Sequence, residues 1–94
     1  MSQSESVYTL PAVLDLLCVE SLHETCSRLL DNDCDVTLDT SDVVRITTSA
    51  IQVLYALSLS LQKRGNQLHI INLNDTVKEA FKMIGLENNL SEWS

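Results

Sequence analysis

Residues 39–61 read DTSDVVRITTSAIQVLYALSLSL and restrict the fold more than any other stretch of the chain. They begin at the end of a β-type run, Asp35–Asp39 (DVTLD), cross a polar turn, and enter a long apolar segment behind three hydroxyl residues, Thr47, Thr48 and Ser49. The pattern passes from a period of two to a period of about 3.6, so a strand feeds a helix through a hydroxyl-rich junction. The first turn of such a helix presents backbone N–H groups with no intrahelical acceptor, which a Ser or Thr oxygen can satisfy. The same end carries partial positive charge and favours an added phosphate. At about 100° per residue, Ala50, Leu54, Leu57 and Leu61 fall on one core stripe. Ile51, Tyr55 and Leu59 form an adjoining stripe, with Gln52, Ala56 and Lys63 beyond it. This helix carries more apolar surface than a single contact needs, which fits burial between two neighbours or a partly exposed patch for another protein.

A chain of 94 residues makes one domain, residues 1–94, because chains this short rarely divide into two cored units. Its 45% apolar and 20% charged residues are those of a folded protein rather than a disordered one. Two Gly and one Pro supply too few tight turns for an all-β fold. The net charge of −7 argues against nucleic acid or an anionic membrane surface as a partner and suits a protein or a cationic ligand. No apolar run approaches the roughly 20 residues that span a bilayer, and residues 1–6 (MSQSES) lack the basic start of a secretory signal. Those six are expected to fray. Cys18, Cys26 and Cys34 are odd in number and lack C-x-x-C spacing, which fits reduced core cysteines of a cytoplasmic protein.

In chain order, residues 7–10 (VYTL) suit a strand that Pro11 interrupts, and residues 13–17 (VLDLL) are a second extended candidate. Together, residues 7–16 suggest a bent strand or a hairpin. Over residues 18–30, Val19, Leu22, Cys26, Leu29 and Leu30 recur with helical spacing, and Ser21 and Glu24 stand at capping-box distance. Residues 31–42 (DNDCDVTLDTSD) place Asp at several calcium-loop positions, but Val36 stands where that loop requires Gly and Asp42 where it uses Glu. An acidic turn followed by a strand fits better. Lys63, Arg64 and Gly65 supply a basic helix end and a stop signal. Residues 67–73 (QLHIINL) read as a strand; Asn74 and Asp75 offer helix caps; Val77, Ala80, Phe81 and Ile84 mark a helical face; and residues 86–94 form a tail whose Leu90 and Trp93 can pack back.

Catalysis finds little support in this pattern. A nucleophilic Ser49 or Cys needs a nearby base, yet His23 and His69 belong to separate elements and no Gly-rich phosphate loop is present. Asp15, Asp39 and Asp42 could converge at strand ends as an acid–base pair, although carboxylates there ordinarily solvate turns. No catalytic residue, metal site or cofactor is expected.

The marks LDL at residues 14–16, VTLD at 36–39, the TTSAIQVL junction, KRGNQLHIINLN and VKEAFKMIGL at 77–86 occur in an order that resembles the STAS domain of anti-sigma factor antagonists, over residues 7–90. The resemblance implies an α/β fold with a mixed sheet of four to five strands and helices packed mainly on one face. It implies a non-catalytic interaction domain that binds a partner through the start and face of its second helix. Aligning IQVL with the segment after the family's Asp-Ser-Ser-Gly motif puts Thr47 at the Asp, Thr48 at the first Ser, Ser49 at the phosphorylated Ser and Ala50 at the Gly. Ser49 is then the expected phosphoacceptor, with Thr48 second. Thr47, Thr48, Ser49, Ala50, Gln52 and Tyr55, together with Asp15 and Asp42, are the expected partner-binding residues. Thr47, Ala50 and Gln52 depart from the family's usual Asp, Gly and Gly. The implied partner is an anti-sigma factor kinase, released when Ser49 is phosphorylated. The same fold also resembles the accessory STAS subunit of lipid-transport ABC systems, where Thr48 would contact an ATPase constitutively, and STAS adaptors of chemotaxis or two-component signalling.

Overall fold

A computed structural model describes residues 5–94, with side chains from Val7 onward. Three strands, β1 (Glu5–Thr9), β3 (Asp35–Asp39) and β5 (Leu68–Ile71), form one parallel sheet in the order β1-β3-β5. Two short strands, β2 (Val13–Leu14) and β4 (Arg45–Ile46), pair in parallel as a second sheet. Four helices complete the fold: α1 (Val19–Asp31), α2 (Thr48–Lys63), α3 (Asp75–Met83) and α4 (Glu87–Trp93).

The α/β class is as expected and the five strands fall within the expected four to five, but they form two sheets instead of one, and every strand pair among the described residues is parallel. The connections explain it, since α1 lies between β1 and β3 and α2 lies between β3 and β5, and such crossovers return the chain in the same direction. The suggested hairpin over residues 7–16 does not form. The Leu10 N–H still extends the β1–β3 ladder to the Asp39 carbonyl at 2.9 Å, but Pro11 has no N–H to continue it. The chain therefore leaves β3 and pairs with β4 instead. Of the stretch expected to fray, residues 1–4 lie outside the described residues, while Glu5 and Ser6 pair with Asp35 and Val36 in β1.

Alternation along the central sheet divides its faces. Val36, Leu38, Leu68 and Ile70 point into the core with Leu54, Leu61 and Phe81 of the helical layer. The other face is open at its edges, where Val7 is 64% and Ile71 42% exposed, while Thr37 of the central strand is buried between its neighbours. Helix α2 ends at Gly65 (φ 80°), whose N–H reaches the Gln62 carbonyl while the Asn66 N–H reaches that of Leu61. This pair of bonds satisfies the orphan carbonyls of the last turn and needs the left-handed backbone that glycine adopts without strain.

Helix α1 is preceded by a 3-10 turn, Leu16–Cys18, so Ser21 and Glu24 fall inside the helix and cap nothing. The cap belongs to Asp15, which accepts from the Leu17 N–H at 3.1 Å. The expected tail is helix α4: Leu90 and Trp93 are buried, and the Trp93 ring meets Phe81 edge to face with centroids 5.8 Å apart. No helix among the described residues is long and apolar enough to cross a membrane.

Candidate functional site

The start of α2 is built from the β2–β4 pair. Ala12 accepts from the N–H groups of Val44 and Arg45, and Leu14 accepts from the N–H of Thr47 at 3.0 Å. Thr47 takes an extended backbone (φ −104°, ψ 165°) and is the N-cap residue of α2, but its hydroxyl makes no capping bond. It donates instead to the Leu14 carbonyl at 3.3 Å. The first intrahelical bond runs from the Ile51 N–H to the Thr47 carbonyl at 3.1 Å, which leaves the N–H groups of Thr48, Ser49 and Ala50 pointing out of the helix end.

The turn leading into this junction is held by residues distant in sequence. Asn74 accepts from the Val77 N–H at 3.0 Å as the cap of α3, and its amide donates to the carbonyls of Val43 at 2.8 Å and Thr40 at 3.2 Å. The buried Thr40 hydroxyl lies 3.3 Å from the Ile71 carbonyl and 3.1 Å from that of Asn72. The Ser41 backbone N–H and the Asn72 amide donate to the Asp39 carboxylate, at 2.9 and 3.1 Å, and hold its pKa below the usual carboxylate range.

The expected site residues divide into distinct groups. Thr48 and Gln52 are exposed, Ser49, Thr47 and Tyr55 are half-buried, and Ala50 is buried in the core. Asp15 stands beside Thr47, because Leu14 is bonded to it. Asp42 lies on the exposed turn before β4, at the end of that strand away from α2. The two carboxylates are therefore attached to opposite ends of one short sheet. His23 is exposed on α1, and His69 lies on the open sheet face, 3.8 Å from Asp35. Residues 31–42, weighed as a calcium loop, are instead a helix end, a turn and β3, with Val36 and Leu38 in the core.

Around the helix, burial separates two faces. Ala50, Ile51, Leu54, Leu57, Ser58 and Leu61 are buried, while Thr48, Gln52, Ala56, Leu59 and Lys63 form an exposed stripe edged by Tyr55. Most of the apolar excess is core, and Leu59, at 43%, remains outside. Sequence patterning missed the neighbouring apolar patch. Leu16 is 72% and Leu17 91% exposed on the 3-10 turn, and Val44 is 67% exposed opposite Ala12, at the other end of the β2–β4 pair. VLDLL reads as an extended apolar run, and the only contrary signal is Asp15 standing two residues ahead of an N–H it can cap.

A family model described as "Mlab, STAS domain" matches residues 1–92. No curated protein sequence matches the chain. The solved structure of the Bacillus cell fate determinant SpoIIAA in the phosphorylated form is 16% identical, with a TM-score of 0.71 over 98% of this chain and 81% of that one. A sulfate transporter family protein from Wolinella succinogenes is 18% identical, with a TM-score of 0.74 over 97% of this chain and 75% of that one. At these identities the likeness is one of fold.

Proposed function

The chain belongs to the STAS domain family, and on that premise we propose that it is a non-catalytic docking domain that receives a partner protein on the start and outer stripe of α2. The observation that carries this reading is the open first turn of α2, whose cap residue Thr47 spends its hydroxyl on Leu14. That turn continues into the exposed stripe through Gln52 to Leu59. The family is generally non-catalytic, and His23 on α1 and His69 on β5 belong to elements other than the one that carries the hydroxyl row.

Phosphorylation of Ser49 is the proposed release signal. Ser49 is the second residue of α2 and half-exposed, and a structural relative, SpoIIAA, occurs in a phosphorylated form. A phosphate adds about −1.5 to −2 charges to a chain already at −7. The helix dipole returns only about 0.3–1 kcal/mol, less than the several kcal/mol that an unpaired charge costs inside a dry interface. Binding is therefore lost on modification, and a phosphatase restores it. A protein kinase of the anti-sigma factor class, in the cytoplasm, is the partner this mechanism requires.

One feature favours a second reading, a constitutive adaptor that docks on a transporter ATPase or a signalling protein. Position 47 carries Thr in place of the acid that the antagonist motif uses, and its side chain is already engaged with Leu14. Thr48, the exposed hydroxyl, is then a fixed contact. Affinity purification from the host, with mass spectrometry of the partner and of the peptide bearing Thr47–Ser49, separates the two. A kinase-like partner absent from the phosphorylated fraction supports the switch; an ATPase partner and no phosphate supports the adaptor.

A further inference from the structure

The 3-10 turn beside the docking helix presents two consecutive leucines to solvent, and the fold has taken care to hold them there. Leu17 is 91% and Leu16 72% exposed, although neither side chain is needed outside by any packing constraint. The turn carrying them is pinned at both ends. Asp15 caps it through the Leu17 N–H, the Cys18 N–H returns to the Asp15 carbonyl at 3.0 Å, and the preceding carbonyl of Leu14 takes both the N–H and the hydroxyl of Thr47. A pair of large apolar side chains on a rigid turn loses little conformational freedom on binding, which is what an interface anchor requires.

Charge selects the occupant. Acids flank the turn: Asp15 is its cap and Glu20 stands in the first turn of α1. A second copy would bring these acids against their own kind on a molecule of net charge −7, and an anionic lipid surface would be repelled in the same way. We propose that Leu16 and Leu17 are the anchor by which this domain inserts into an apolar socket rimmed by Lys or Arg on its protein partner. The proposal rests on the docking reading above and deepens it, because it moves the centre of the interface from the hydroxyl row to the 3-10 turn.

The test uses the full chain and the partner purified from its host. Affinities are compared for the wild type, for the double variant Leu16→Ser/Leu17→Ser, and for Gln52→Glu on the α2 stripe. A photo-crosslinking phenylalanine analogue is placed at position 17, with one at the exposed Met83 as control. Because both leucines are exposed, the double variant retains the wild-type melting curve, and its affinity falls at least about tenfold. The crosslink from position 17 lands in an apolar partner segment flanked by Lys or Arg, and the affinity falls with added salt. If Gln52→Glu weakens binding while the double variant binds as the wild type does, the anchor is overturned and docking through α2 stands. If the wild type binds no host protein at all, both are overturned. Crosslinking at position 17 to a second copy, or partition onto phosphatidylglycerol vesicles that the double variant loses, overturns the protein socket.

Discussion

The hydroxyl of Thr47 and its backbone N–H both donate to one acceptor, the carbonyl of Leu14, at 3.3 and 3.0 Å. One oxygen therefore ties the end of β2 to the start of α2, and the residue best placed to cap the helix leaves its first turn open. The Leu16–Cys18 turn follows two residues after Leu14, so the same bond pair sets the position of the apolar turn relative to the hydroxyl row.

Thr47→Val keeps the branched shape and the backbone bond but removes the hydroxyl. It costs about 0.5–1.5 kcal/mol, the net worth of one hydrogen bond, because the Leu14 carbonyl retains the N–H of residue 47. Urea denaturation followed by circular dichroism checks this, with the midpoint lowered and the slope unchanged.

Ser49→Glu and Ser49→Ala separate docking from folding. Glu in the first turn of α2 faces the helix dipole favourably, so stability stays within about 1 kcal/mol of the wild type. Partner binding, measured by calorimetry, is abolished by Glu and kept by Ala, and the Ala variant no longer responds to the kinase. Equal binding by both variants would sink the switch.

Asn74→Ala removes the α3 cap and two bonds to the Thr40 and Val43 carbonyls together. Loss of the cap alone costs about 1 kcal/mol, and the two stranded acceptors add to it, so a loss of about 2–4 kcal/mol is expected. Hydrogen exchange should accelerate in the turn over residues 40–44 as well as at the α3 start. Acceleration confined to α3 would show that the turn holds itself.

Acid stability should carry the signature of Asp39. Its pKa is lowered by the Ser41 N–H first and the Asn72 amide second, so it binds protons less readily folded than unfolded. The stabilisation is present above the ordinary carboxyl range and is lost as pH falls through the depressed folded value. Asp39→Asn is thus less stable than the wild type at pH 7, and the gap between their melting temperatures closes below about pH 4.

Cys26 is buried, and burial pushes its thiol up to about 11, whereas Cys18 and Cys34 are half-exposed. At pH 8 an alkylating reagent should label two cysteines quickly and the third only at the rate of opening. Mass spectrometry of the labelled peptides distinguishes them. Fast labelling of Cys26 would show that α1 opens readily.

Much of this architecture was legible in the chain. The boundaries of β3, the start of α2 behind Thr47 and the cap at Asn74 follow from local chemistry: apolar alternation, the change to helical periodicity after the hydroxyl row, and an Asn placed to receive an orphan N–H. The buried stripe of α2 follows from its periodicity because that helix packs on one side of the sheet. Other features have no local signature. Strand β4 is two residues long, and its pairing with β2 depends on a partner about thirty residues away. Helix α4 (ENNLSEW) is mostly polar and short, and the burial of Leu90 and Trp93 against the core holds it in place.

The sequence by itself determined the three strands of the central sheet and the helices α1, α2 and α3, the net acidity of the chain, and a row of hydroxyls at a helix start. Only the tertiary structure decided what those hydroxyls and the leucines before them do. Thr47 caps nothing because a carbonyl from residue 14 competes for its proton, and Leu16 and Leu17 face solvent because an Asp15 cap curls their backbone away from β4. The first outcome turns on a hydrogen bond whose geometry is set by how β2, β4 and α2 meet, and periodicity along the chain carries no record of that meeting; the second turns on a local cap that apolar periodicity does not register.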